Sequence, residues 1–289
     1  MYEKYYHLRE KPFALMPDPN YLYLSRKHRI AKTLLVYGIL NQAGFVVISG
    51  GIGTGKTTLI HQLLNLMNRQ NMNVGLISNA HPSFGELMQW VLMAFGLEYA
   101  GKGKTALFQT FMEFVTAEYH KHKRTVLIID EAQNLSPETL EELRMLINVN
   151  VGKDQLLQIV LVGQEQLLEK LGSPELEQFA QRISVSYRLE TLDRDETRAY
   201  IRHRLKVAGS QNPELFSDEA CDTVFEYSRG TPRLINVICD TALVYGFADD
   251  QQQISASLVQ DVAKDREAGG LPVVSPLREN SHTAQTDAA

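Results

Sequence analysis

The sequence predicts an α/β fold: a parallel sheet covered by helices on both faces, followed by a small all-helical domain. Three observations predict it. Short, nearly unbroken apolar runs ("FVVIS", "VGLIS", "TVLIID", "LLQIVLVG", "SVSYRL") recur between helical stretches, the pattern of strands buried on both faces. The glycine-rich "GGIGTGKTT" (50–58) comes directly after the first run and opens into a helix. After Thr191 the strand signals stop.

Residues 1–24 are aromatic and proline-rich, "PFALMPDPNYLYLS" above all, and read as an extended segment laid over a domain. "KHRIAKTLLVYGILN" (27–41) places Ile30, Leu34, Leu35, Ile39 and Leu40 at helical spacing. The helix after the glycine loop carries Leu59, Leu63, Leu64 and Met67. Strands are expected at 45–49, 74–78, 125–130, 156–163 and 184–189, and helices near 83–95 and 105–121. "SPETLEELRMLINV" has a helix-start signature in Ser136, Pro137 and Glu138, with Leu140, Leu143 and Ile147 facing inward. Four further helical stretches fill 193–265, and the aperiodic end reads as a disordered tail. The expected domains are an N-terminal segment and helix packed on the core (1–41), an α/β core (42–192), a helical lid (193–265) and the tail (266–289).

At 289 residues, with 44% hydrophobic and 22% charged residues, the composition is that of a globular protein with a sizeable core. A net charge of −5 argues against a surface built wholly to clamp a polyanion. Cys221 and Cys239 match neither a metal-ligand nor a redox spacing and read as buried thiols. The polar N-terminus is not a signal peptide, and no stretch reaches the roughly 18 apolar residues of a spanning helix. The expectation is a cytoplasmic chain without a transmembrane segment.

Gly50, Gly55, Lys56 and Thr57 fit the spacing G-x-x-x-x-G-K-[ST] between strand and helix. The backbone of Gly50, Gly51, Ile52, Gly53, Thr54 and Gly55, continuing into Thr58, is expected to curl its N–H groups around phosphates at a positive helix end. Lys56 would reach the β- and γ-phosphates of ATP, and Thr57 would ligate Mg2+. A buried strand then delivers Asp130 to the sheet edge, where it can hold Mg2+ through water. Glu131, one residue on, can act as general base on an attacking water. Gln164 ends the fourth strand and either contacts the γ-phosphate or merely starts a helix. Arg182 precedes the last strand and can project toward a neighbouring subunit's nucleotide, with Arg188 as second candidate. In "SRGTPRLIN" (228–236), Arg233 can reach the γ-phosphate and Pro232 can pack on adenine.

Taken in this order, the five elements resemble the AAA+ superfamily: Walker A (50–57), Walker B (126–131), sensor 1 (Gln164), arginine finger (Arg182) and sensor 2 (Arg233). The "RGTPRLIN" turn is similar to that of the Holliday-junction branch-migration motor. The closer resemblance is to the general secretion pathway protein A family, the ExeA-like ATPases, whose relatives also accompany exosortase and exopolysaccharide export genes. It covers about residues 1–250, through "YYHLREKPFALMPDPNYLYLSRKH", "GTGKTTLI", "LIIDEAQNLSPETLEELRML", "LLQIVLVGQEQL", "QRISVSYRLETLDRDETRAYIRHRL" and "RGTPRLINVICDTAL". The resemblance implies a P-loop sheet of five parallel strands in order 5-1-4-3-2 with an α-helical lid. It also implies ATP hydrolysis in homo-oligomers and envelope secretion or export proteins as partners. Unlike the secretion ATPases, this chain shows no membrane span or periplasmic region, so inner-membrane attachment is expected through a partner. The alternative is a DNA-associated, transposition-type ATPase, for which "RKHR" (26–29) and "YHKHKR" (119–124) are the candidate basic clusters.

Overall fold

The computed structural model describes residues 1–16, 18–69, 72–78, 86–151 and 154–270. It divides into two compact units: residues 17–191, and residues 1–16 together with 192 onward.

The first unit is built on strands β1 (Phe45–Gly50), β2 (Asn73–Ile77), β3 (Thr125–Ile129), β6 (Leu157–Gly163) and β7 (Ile183–Leu189). They form one sheet in the order β2-β3-β6-β1-β7, and every pairing is parallel. Counted within this sheet alone, that is the expected 5-1-4-3-2. The numbering shifts because a short antiparallel hairpin, β4 (Asn150–Val151) with β5 (Asp154–Gln155), intervenes in sequence. Two-residue strands, exposed in β4 and half-buried in β5, have no apolar alternation, which is why the sequence did not announce them.

Successive residues of each central strand point to opposite faces. Val46, Ile48, Val126, Ile128, Val160 and Val162 pack with helices α2 (Arg26–Leu40) and α3 (Lys56–Arg69). Phe45, Val47, Leu127, Ile129, Ile159 and Leu161 pack with α4 (Leu87–Ala94), α5 (Lys104–His120) and α6 (Pro137–Leu146) on the other face. The short helices α7 (Glu165–Leu171) and α8 (Glu177–Ala180) add Leu167, Leu171 and Phe179 to that layer. Both faces are therefore dry, as the continuous apolar runs require. The buried stripe of α2 is rotated from the expected one: Ala31, Leu35 and Ile39 are inside with His28, whereas Ile30 and Leu40 are 40% and 47% exposed. Glycine at 38 permits this rotation, since a Cβ there would lie 2.6 Å from Val46 Cγ2.

The second unit holds α1 (Tyr2–Tyr5), α9 (Arg194–Val207), α10 (Asp218–Ser228), α11 (Pro232–Ala248) and α12 (Ala256–Ala268). It corrects the expectation that all of 1–41 packs on the α/β core. Residues 1–16 belong with these helices because their aromatic side chains are buried there: Tyr2, Tyr6 and Phe13 are each at most 6% exposed. Tyr2 hydrogen-bonds Asp240, Phe13 meets Phe216 edge to face, and the buried Arg204 donates to Pro12 O at 2.6 Å and Ala14 O at 3.2 Å. Helix α12 runs past the expected tail boundary at 266, and the remaining tail from 271 lies outside the described residues. So do residues 83–85 of the expected 83–95 helix, whose described part is α4.

Candidate active site

Strands β3, β6 and β1 lie side by side and run parallel, so their C-terminal ends open onto the same edge of the sheet. After β1 comes the 50–58 loop, after β3 come Asp130 and Glu131, and after β6 comes Gln164. The outer edge of strand ends in a parallel sheet is where such folds bind ligands.

The loop turns on Gly53 and Gly55, whose φ angles of 78° and 101° lie in the left-handed region that glycine adopts without strain. The Thr54 hydroxyl closes the turn onto Gly51 O at 2.9 Å. Helix α3 begins at Lys56, so its first-turn N–H groups lack intrahelical acceptors and carry the positive end of the helix dipole. Lys56 is 7% exposed and its Nζ donates to Gly50 O at 2.8 Å and Gly51 O at 2.9 Å. Burial lowers its pKa, while the neighbouring carboxylates of Glu131 and Asp130 push it back up. Ile52 stands 70% exposed at the tip of the loop.

The Thr57 hydroxyl donates to Asp130 Oδ2 at 3.2 Å. Asp130 is 6% exposed, its own N–H bonds Ile77 O at 2.8 Å, and its Oδ1 accepts from Glu131 N at 2.9 Å. Burial raises the Asp130 pKa, against the lowering pull of the Glu131 N–H. A hydroxyl and a carboxylate facing each other beside a buried lysine are hard oxygen donors that suit Mg2+. The described residues contain no group of three or more His, Cys, Asp or Glu that could cage a metal. An ion here would therefore take further ligands from water and a bound phosphate.

Glu131 has φ 54°, in the left-handed region, as do His7, Gln42, His122, Arg229 and Asp250 at turns elsewhere in the chain. Its Oε2 accepts from Gln133 Nε2 at 2.5 Å and from Gln164 Nε2 at 3.2 Å. Gln164 does occupy the N-cap position of α7, but its side chain makes no cap and turns to Glu131 instead. Gln133 was not singled out by the sequence. Its Oε1 accepts the Gln164 N–H at 2.9 Å, so one side chain ties the segment after β3 to the residue after β6. A Cβ on Gly163 would come within 2.8 Å of that oxygen. Only its place two residues beyond Glu131 could have pointed to it.

Arg182, just before β7, is exposed and has no carboxylate partner among the described residues. Arg188, the second candidate, is held by Glu165 at 2.7 Å. Pro232 and Arg233 belong to the other unit, at the start of α11. Their turn depends on Gly230 at φ 68°, where a Cβ would overlap Leu192 O at 1.8 Å. Arg233 is exposed in a helix first turn without acidic residues, a position where the dipole disfavours a cation.

The basic clusters are largely engaged internally. Lys27 meets Glu190 at 3.2 Å, Lys121 and Lys123 share Glu118, and Arg124 caps Ile39 O and Leu40 O. Cys221 and Cys239 are free and buried; burial pushes the Cys221 thiol up to about 12 and Cys239 well above its ordinary value. No helix among the described residues is long and apolar enough to cross a membrane.

Residues 39–171 match the family model of the AAA domain. Over 255 residues the chain is 39% identical to general secretion pathway protein A of Aeromonas hydrophila, a match spanning 88% of this chain. The chain spans 46% of that relative's length. Among solved structures it is similar to the ORC2 protein of Aeropyrum pernix in ADPNP–ADP complexes (TM-score 0.65, 16% identity, 89% of this chain and 71% of that one). It is also similar to Cdc6p of Pyrobaculum aerophilum (TM-score 0.65, 16% identity, 90% and 74%). The RuvB Holliday junction branch migration motor of Thermotoga maritima gives a TM-score of 0.54 at 18% identity (84% and 70%). At these identities the solved structures establish the fold.

Proposed function

We propose, from the match of residues 39–171 to the AAA domain and the similarity of 88% of this chain to general secretion pathway protein A, that it binds and hydrolyses ATP with Mg2+ and couples nucleotide state to a bacterial envelope secretion or polysaccharide-export system. The observation that carries the proposal is the convergence of Lys56, Thr57, Asp130, Glu131 and Gln164 at one sheet edge. Loop N–H groups and Lys56 bind the phosphates. Thr57 and Asp130 hold Mg2+, which neutralises phosphate charge when bound. The Glu131 carboxylate takes a proton from water as the water oxygen bonds to the γ-phosphorus and the bond from that phosphorus to the β–γ bridging oxygen breaks, so that ADP and phosphate leave, and the Gln133 and Gln164 amides keep that carboxylate aimed. Arg182 is assigned to a neighbouring copy's nucleotide in a homo-oligomer, and Pro232 and Arg233 to adenine and γ-phosphate contacts from the lid. The chain is assigned to the cytoplasmic side of the inner membrane, attached through a partner. The engagement of the basic clusters weighs against the DNA-associated alternative.

The direct test is ATP binding by calorimetry. Lys56→Ala should weaken affinity on the order of a hundredfold or more, as loss of a buried charged contact does, while the protein stays folded by circular dichroism. Unchanged affinity would remove the phosphate-loop assignment.

A further inference from the structure

A histidine on the inner face of a helix needs partners, because a buried polar ring without them is destabilising. His28, in the first turn of α2, is 5% exposed and has partners at both ring nitrogens. Nδ1 lies 2.9 Å from Ser25 Oγ, and Nε2 lies 3.0 Å from the carbonyl oxygen of Thr54, inside the phosphate loop. A carbonyl only accepts, so Nε2 carries a proton. Ser25 Oγ also accepts the His28 backbone N–H at 3.3 Å, which leaves its own O–H to donate to Nδ1. The hydroxyl that caps the helix thus also sets the ring's orientation.

We propose that His28 is a positioning residue of the phosphate loop, fixing the Thr54–Gly55 peptide from which Lys56 departs. In a trans peptide the C=O and the following N–H point in opposite directions, and no cis peptide occurs among the described residues. Drawing Thr54 O toward His28 therefore aims the Gly55 N–H away from α2, as a donor for phosphate. The fit is close: a Cβ on Gly55 would lie 2.9 Å from His28 Nε2. Thr54 is itself 2% exposed, so water does not compete for the contact. A residue that only filled space would need no hydrogen donor there.

The inference rests on the nucleotide reading of the loop, and two measurements separate them. In nucleotide-free protein, amide exchange of the 51–58 segment should quicken in His28→Leu, which keeps bulk but lacks a donor, and return toward wild type in His28→Gln, whose amide reaches the Nε2 position. With ATP and Mg2+, His28→Leu should raise Kd and KM about three- to tenfold, the equilibrium worth of one hydrogen bond, with kcat within about twofold because ground and transition states lose it equally. His28→Gln should recover most of the loss. Unchanged loop exchange, or equal effects of Leu and Gln, would overturn the proposal. Slower exchange in wild type than in His28→Leu, with no ATP binding by either, would keep His28's role and discard the nucleotide reading. Should His28→Leu not fold, the contrast is read between His28→Asn and His28→Gln, whose amides reach the Nδ1 and Nε2 positions respectively.

Discussion

Asp130 shows at the scale of one residue how a candidate site opposes stability. Its carboxylate is almost fully buried, and burial raises its pKa in the folded state above its unfolded value. A raised carboxylate pKa means the folded chain binds the proton more tightly, so stability falls as pH climbs from the ordinary aspartate range through the raised value. Above that window the charge is fully costly, and below it the cost vanishes. Asp130→Asn keeps an acceptor for Thr57 and removes the charge. We expect it to raise the Tm of nucleotide-free protein at neutral pH, by roughly 2–4 °C per kcal/mol relieved. The gain should fade as pH drops below the ordinary aspartate range, while Mg2+-dependent ATP binding is lost. Thermal melts across pH, with and without Mg2+-ATP, check both halves. An unchanged melting temperature at neutral pH would mean that the paired hydroxyl and N–H already offset the charge.

At the scale of elements, the sequence signals were strongest where local chemistry alone decides. Ser136 caps α6 by accepting the Thr139 N–H at 3.2 Å, Pro137 takes the first helical position, and Leu140 and Leu143 are fully buried. Ser136→Ala should cost about 1 kcal/mol, read as a lower denaturation midpoint with an unchanged slope. A wild-type midpoint would mean that Thr139 or water replaces the cap. The strand ends were legible for the same reason, since apolar runs must stop where the sheet edge meets water. The stripe of α2 was not. Spacing alone cannot choose between neighbouring helical faces, and the face was decided by the close approach at Gly38 and the anchoring of His28.

At the scale of the molecule, Arg182 is an exposed cation without a carboxylate partner among the described residues. That exposure leaves the guanidinium free to meet a neighbouring copy, as proposed above. Arg182→Ala should bind ATP yet lose about a thousandfold in turnover if it serves as an arginine finger, and Glu131→Gln should lose turnover as well. Mixing the two inactive variants should recover ATPase activity, because some interfaces then join an intact Arg182 to an intact Glu131. Absence of recovery in mixtures that demonstrably co-assemble would place each site within a single chain.

Much of this protein is determined by the sequence itself, because it rests on local chemistry. The glycine spacing, the two-sided strands, the acidic pair after "TVLII" and the cap of α6 impose their structure within a few residues. Tertiary structure alone decided the connections between distant segments. It joined Gln133 to Gln164 and Glu131, brought His28 against Thr54 from 26 residues away, and grouped residues 1–16 with the C-terminal helices rather than the sheet. Those contacts exist because buried polar and aromatic groups must find partners wherever the fold supplies them, and linear spacing contains no record of which partner that will be.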